Sequence, residues 1–188
     1  MRTGKLPGRA LIAGLLVMLA ACGKPAHPGT TIKELMEGQV NPAGDFLFKS
    51  VAQVSDGHGV HLKSPSSDAE WRGVRDQLIV LRDASKVLTA DGVLAAPPGT
   101  GSEHPGIESE PAEIQAAVDR NRPDFNNRAL KLKSAAEVAL KAVDTKDPLA
   151  LMRALDGVDR ACESCHLHYF YPKDKRAQQA AKEDGIAN

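Results

Sequence analysis

The sequence predicts an all-α protein built as a bundle of four helices. Apolar residues recur at steps of three and four along most of the chain, which is the period of helices with one buried face. No segment is a convincing β-strand. Aromatic residues make up only 4% of the chain, whereas alanine and leucine are abundant, and this composition favours closely packed helices. About 165 residues remain after an N-terminal leader is set aside, which suits one domain with one core.

The chain begins with the pattern of an exported protein. Three basic residues precede an apolar run at residues 11–21, which is too short to span a bilayer comfortably and matches a signal peptide. The run ends in Leu-Ala-Ala followed by Cys22, which resembles the bacterial lipobox. We expect residues 1–21 to be removed, Cys22 to carry lipid, and residues 22–30 to tether the protein to the extracytoplasmic face of a bacterial membrane. A secretory signal that merely contains a cysteine is the alternative.

The first helix is predicted from a long apolar stripe that spans about six turns. Pro42 lies within it and should kink the helix or split it in two. A turn-rich connection at residues 56–65 should follow. The stripe consists of Ile32, Met36, Val40, Ala43, Leu47, Val51 and Val54.

The second and third helices are separated by a long loop. The second should begin at a capping signal near Ser67 and run to about Thr89. Residues 91–109 are rich in proline and glycine and show no periodicity, so they are expected to form the loop. The third helix should lie within residues 111–143, with a break before Pro123.

The fourth helix has the clearest start of the four. Asp147 is a typical N-cap and Pro148 suits the first helical position, and the helix should run to about Tyr171. Residues 31–172 are therefore expected to form the bundle, and residues 173–188 a polar tail.

The fourth helix contains Cys162-Glu163-Ser164-Cys165-His166. C-x-x-C-H is the sequence at which haem is attached through two thioethers while the histidine binds its iron. On a helix, residues three apart share a face, so both thiols can reach one porphyrin. The alternatives are a thioredoxin-like pair, half of a zinc site, a structural disulfide and an inert cysteine pair. A zinc site lacks a second ligand pair of similar spacing, and a redox pair lacks its βαβ context.

These features resemble the class II cytochromes c, the cytochrome c′ and c556 group. The resemblance rests on residues 162–166 near the end of the last helix, on Tyr169 after them, and on Ile32–Met36, which resembles the segment where c556-type members carry an axial methionine. Arg160 resembles the basic residue that often precedes the motif. The resemblance implies an up-down-up-down bundle with one covalent haem c. The long loop and the interruption at residues 41–45 depart from it and resemble a divergent, lipid-anchored branch.

Helix order also suggests the second iron ligand. In an up-down-up-down bundle the end of helix four lies beside the start of helix one, which places Met36 near His166. A methionine that only fills the core is the alternative. His104 is the competing ligand, because its loop joins helices two and three at the same end. Tyr169 is expected to pack against the haem or hydrogen-bond near it, unless it is a plain core aromatic.

Together these residues favour a lipid-anchored c-type cytochrome that carries single electrons and is not itself an enzyme. No catalytic triad, paired-carboxylate site or phosphate loop is present. The expected partner is a redox donor or acceptor, with a membrane-embedded protein as one candidate, and a homodimer is one candidate assembly. Loss of the basic leader leaves a mildly acidic chain, which does not suggest nucleic-acid binding. The alternatives are a five-coordinate haem protein that binds or senses NO or CO, and a subunit of a larger redox enzyme.

Overall fold

The computed structural model describes Met1 and residues 29–57, 59–183, 185 and 186, and this part of the chain is mostly helical. The predicted signal peptide, Cys22 and most of the tether lie outside the described residues. Within these ranges, no helix is both long and apolar enough to cross a membrane. The elements in order are α1 (Ile32–Leu35), a π-helical turn (Met36–Val40), α2 (Asn41–Ser50), β1 (Ala52–Asp56), β2 (Gly59–Lys63), α3 (Asp68–Leu88), α4 (Pro111–Arg120), α5 (Arg122–Asp144), α6 (Pro148–Tyr169) and α7 (Lys175–Glu183).

The N-terminal helical segment changes its winding at Met36–Val40. Thr31 caps its start, because its hydroxyl accepts from the Glu34 N–H at 3.2 Å and the Glu34 carboxylate accepts from the Thr31 N–H at 2.9 Å. Pro42 has no N–H, and its ring would clash with a carbonyl one turn earlier. A π turn precedes it, and the Asn41 N–H donates to the Met36 carbonyl. The interruption expected at Pro42 therefore takes the form of a wider turn before the proline.

A β-hairpin follows α2, so the expectation of no strand was wrong. Strands β1 and β2 pair antiparallel, with Ala52 opposite Lys63 and Asp56 opposite Gly59. The first helix ends at Ser50, and Val54, which the helical stripe had included, lies in β1. Two valines three residues apart fit a helical period by chance, whereas the glycines near residue 58 and the β-branched residues on either side favour a hairpin.

The long helices pack around one apolar core. Helix α5 packs against α3 on one side and α6 on the other, and α2 packs against α3. Helix α5 contributes several buried alanines, and small side chains allow helices to approach closely. The most deeply buried core residues of these helices are Ala43, Leu47, Val74, Leu78, Leu81, Ala136, Ala139, Leu151 and Val158.

Three sequence signals for helix boundaries are confirmed. Ser67 caps α3 reciprocally with Glu70, as a capping box requires. Asn121 separates α4 from α5, which is the break expected before Pro123. Asp147 accepts from two backbone N–H groups at the start of α6, which ends at Tyr169, two residues earlier than predicted.

The C-terminal segment is not only a polar tail. Helix α7 packs against α6 and buries Ala181. The Gln178 amide donates to the Leu167 carbonyl at 2.8 Å, which ties α7 to the last turns of α6.

Residues 89–110, here called the end loop, contact both the start of α1 and the end of α6. The carbonyls of Leu94 and Ala95 accept from the first two amides of α1, Ile32 and Lys33, at 2.9 Å each. Ser109 donates its N–H to the Phe170 carbonyl at 2.6 Å. The end loop therefore holds the start of α1 beside the end of α6.

Candidate functional site

Helix α6 presents the C-x-x-C-H motif in its last turns. Cys162 and Cys165 are partly buried, and the His166 side chain is 34% exposed. The helix closes directly after the motif, because the N–H groups of Phe170 and Tyr171 both donate to the His166 carbonyl, at 2.8 and 2.9 Å. Both thiols and the imidazole therefore lie on the last turns of a helix, not on a loop.

Two adjoining cavities, here together called the motif cavity, lie beside this helix end. The larger has a volume of about 160 Å³ and is lined by Met36, Cys165 and His166 among mainly apolar residues. The smaller, of about 30 Å³, is lined by Met36, Cys162, Cys165 and His166 together with Arg128. Mainly apolar walls with a few ligating or polar groups are typical of cofactor pockets.

The surroundings of the two cysteines bear on three of the alternatives to covalent attachment, which are the thioredoxin-like pair, the disulfide and the zinc site. Burial, with a smaller contribution from Asp159, raises the pKa of Cys162 to about 12, and burial raises the pKa of Cys165 to about 11. A thioredoxin-like pair needs a lowered pKa, and a disulfide needs bonded sulfurs, whereas both thiols are free. Within the described residues no three His, Cys, Asp or Glu side chains form a cluster fit for a metal ion, so a zinc site lacks its ligands there.

Met36 borders both parts of the motif cavity with His166. Met36 is the first residue of the π turn, and such turns are frequent at functional sites. The helix order predicted this juxtaposition, and the end loop holds it in place. Ligation of iron by Met36 stays a prediction.

His104, the competing ligand, lies on the surface of the end loop. Its side chain is 65% exposed, and its Nδ1 is 2.9 Å from Oε1 of Glu108. It does not line either part of the motif cavity. The structure therefore brings Met36, and not His104, to the motif.

Tyr169 is buried and lines the larger part of the motif cavity. Its hydroxyl donates to Oδ2 of Asp124 at 3.0 Å, and its ring meets Phe125 edge-on with centroids 5.2 Å apart. Burial and the Asp124 carboxylate raise the pKa of Tyr169, which keeps the phenol protonated.

Sequence reasoning missed the ion pair that anchors the motif to α5. Arg128 donates through Nε to Oδ2 of Asp124 at 2.8 Å and through a terminal nitrogen to the Ser164 carbonyl at 2.7 Å. The i, i+4 spacing of Asp124 and Arg128 was visible in the sequence, but their contacts with Tyr169 and Ser164 depend on how α5 and α6 pack. Arg128 thus couples the middle of the C-x-x-C segment to the neighbouring helix.

This ion pair makes stability depend on pH. Arg128, and secondarily the Tyr169 hydroxyl, hold the pKa of Asp124 below its usual range, so the pair stabilises the fold above the unfolded pKa of about 4 and loses its effect as pH falls through the folded pKa. We expect Arg128→Met to lower the free energy of unfolding by about 1–3 kcal/mol at pH 7, and by less once the pH falls through the lowered pKa of Asp124. Urea unfolding across this pH range measures both values.

Lys133→Met is the matched control, because Lys133 forms an exposed i, i+4 pair with Glu137 on the same helix at 3.8 Å. It should cost less than about 0.5 kcal/mol. An equal loss in Arg128→Met at every pH would mean that packing of the arginine stem, and not its charge, stabilises the contact.

No family model, curated protein or solved structure matches this chain. Its function is therefore inferred from the motif cavity and from the residues that the sequence resemblance singles out.

Proposed function

We propose that this protein is a c-type cytochrome of the class II kind, lipid-anchored outside the cytoplasm, which carries single electrons through one covalently attached haem. The observation that carries the proposal is the convergence of two thiols, an imidazole and a thioether on one apolar cavity. Those four groups, from Cys162, Cys165, His166 and Met36, are the complete protein contribution to a six-coordinate haem c with His/Met ligation.

The arrangement of helices supports a four-helix bundle with up-down-up-down order. The N-terminal segment over residues 32–50 serves as the first helix, α3 as the second, α4 with α5 as the third and α6 as the fourth. Short or structured connections join consecutive helices, and α5 lies between α3 and α6. In this arrangement the motif cavity lies at the end where the first and fourth helices meet.

Each group in the site has a role that its chemistry allows. Cys162 and Cys165 would hold the porphyrin through thioethers, and His166 and Met36 would close both axial positions to outside molecules. The apolar walls would exclude water. When bound, the haem supplies a one-electron iron couple, and a thioether ligand raises its potential. No side chain in this set needs to act as an acid or base, which agrees with a carrier that is not an enzyme.

A second candidate function is the binding or sensing of NO or CO by five-coordinate haem. One observation favours it: Met36 also borders a further cavity of about 310 Å³ beneath the end loop, lined partly by Ile32, Ser102 and Phe170. Space beside Met36 could admit a small ligand if the methionine does not bind iron.

The optical spectrum of the purified protein in both oxidation states separates these functions. An electron carrier should show low-spin spectra, reversible reduction and no rapid reaction of the reduced form with carbon monoxide. A high-spin spectrum with immediate binding of carbon monoxide would favour the gas-binding function and overturn the carrier.

The short tether after Cys22 limits how far the haem site can lie from the membrane. Thr31, which caps the first helix, follows Cys22 by nine residues, a tether of at most about 30 Å, and residues of that first helix line the motif cavity. The site should therefore stay near the membrane and exchange electrons with a membrane-embedded partner. We expect Cys22→Ala with a cleavable signal to leave the spectrum unchanged and to slow reduction by isolated membranes.

A control chain with Gly/Ser repeats inserted into the tether keeps the lipid and should also be reduced more slowly than the unmodified protein. Equal rates for anchored and released protein at matched concentration would show that the anchor serves retention only.

A further inference from the structure

Glu163, inside the C-x-x-C-H motif, lies between His166 and Tyr171. Its Oε2 accepts from the Tyr171 hydroxyl at 2.5 Å, and its Oε1 is 3.9 Å from Nδ1 of His166. The position follows from the helix, because residues three apart share a face. Tyr171 reaches back from just beyond the helix end, where its own N–H already donates to the His166 carbonyl.

The Glu163 carboxylate is held in one place by its hydrogen bond from the Tyr171 hydroxyl. The Glu163 side chain is 38% exposed and the aromatic ring of Tyr171 lies 6.0 Å from the imidazole, centroid to centroid. Tyr171 therefore restricts where an otherwise mobile glutamate can lie.

The orientation of the imidazole distinguishes its two nitrogens. Nδ1 is the nitrogen near Glu163, which leaves Nε2 as the nitrogen available as a ligand, and His166 lines the motif cavity. A histidine ligand commonly donates its other N–H to a carboxylate, which fixes the tautomer and makes the ligating nitrogen more basic. The present 3.9 Å exceeds a hydrogen bond, and an approach of roughly 1 Å would form one.

We propose that Glu163, held by Tyr171, is a positioning residue that accepts a hydrogen bond from Nδ1 of His166 and thereby lowers the reduction potential of the haem. This inference rests on the proposed function. A more basic Nε2 favours ferric iron over ferrous iron, so Glu163 opposes the effect of the Met36 thioether. Tyr171 moderates this effect, because a carboxylate that accepts from the phenol gives up less electron density to the imidazole.

Replacing Glu163 and replacing Tyr171 should therefore shift the reduction potential in opposite directions. Glu163→Gln should raise the midpoint potential of the intact holoprotein, because a neutral amide is a weaker acceptor. Tyr171→Phe should lower it, because the carboxylate then interacts with the imidazole alone. In the double variant the loss of Tyr171 should have no further effect, so its potential should equal that of Glu163→Gln.

A second readout reports on the imidazole itself. In the reduced, diamagnetic protein labelled with ¹⁵N, the Nδ1 proton of His166 should be shifted furthest downfield in Tyr171→Phe and least in Glu163→Gln. Asp156→Asn is the matched control, because it removes the same charge from the same helix at an exposed position ten residues before His166. Any potential shift it causes should be smaller than that of Glu163→Gln, with no change at Nδ1.

The measured potentials and the Nδ1 signal together test the role of Glu163. An unshifted Nδ1 signal in Glu163→Gln, or potential shifts of the same sign in Glu163→Gln and Tyr171→Phe, would overturn the positioning role while leaving the cytochrome intact. Absence of covalent haem from the unmodified protein is a separate result, which would overturn the proposed function and this inference with it.

Discussion

Replacing both Cys162 and Cys165 by alanine should abolish covalent haem completely, and replacing either one should leave haem held by a single thioether or lost. The reason is that these are the two thiols on the walls of the motif cavity, with the imidazole beside them. The measurement is haem that stays with the polypeptide after denaturation and acid-acetone extraction. His166→Ala should stop maturation or leave the iron without its proximal ligand.

Ser164→Ala is the control for these variants, since Ser164 lies between the two cysteines and its hydroxyl donates to the Ala161 carbonyl of the same helix. It should mature normally. Circular dichroism of each variant separates a missing thioether from a missing fold. Extraction of all haem from the unmodified protein would refute covalent attachment.

Replacing Met36 by leucine should remove the second axial ligand and convert the iron from low to high spin. Leucine nearly conserves the volume of methionine, at a cost below about 1.5 kcal/mol, so the change tests the sulfur and not the packing. The charge-transfer band between methionine and ferric iron, near the red end of the visible range, should disappear. The potential should fall, and the reduced form should bind carbon monoxide at once.

His104→Ala is the matching test of the competing ligand and should leave the spectrum unchanged, because His104 is held at the surface by Glu108. A low-spin spectrum that survives Met36→Leu but not His104→Ala would make the loop histidine the ligand. Such a result would require the end loop to move its residues into the motif cavity when haem is attached.

The hairpin shows where periodicity alone misled the prediction of the fold. Val51 and Val54 continue the helical stripe by one further step of three, yet the chain turns extended at Val51, where φ is −135° and ψ is 128°. Strand β1 is stabilised by pairing with β2, in which the apolar residues Val60 and Leu62 lie opposite Ser55 and Gln53. A short run of apolar residues fits both a helical and a strand pattern. Only the glycines between the two strand segments indicated a hairpin.

At the motif cavity, in contrast, the order of the helices was enough to predict that Met36 and His166 lie close together. Placing Met36 near His166 required only the positions of four helices and the short distance of each residue from a helix end. The sequence did not reveal the two features that hold Met36 there. They are a π turn that begins at Met36 and an end loop whose carbonyls cap the first helix. Both satisfy backbone groups that a proline or a helix terminus leaves unpaired.

The helix starts could be located from sequence, because caps such as Ser67, Asp147 and the following Pro148 act through bonds within a few residues. The thiols and the imidazole of the motif could be located in the same way, because their spacing on one helix is local. The contacts of Arg128 with the Ser164 carbonyl and of Tyr169 with Asp124, in contrast, depend on how the helices pack. These contacts join residues 36 and 45 positions apart, and no local pattern encodes which faces of α5 and α6 meet.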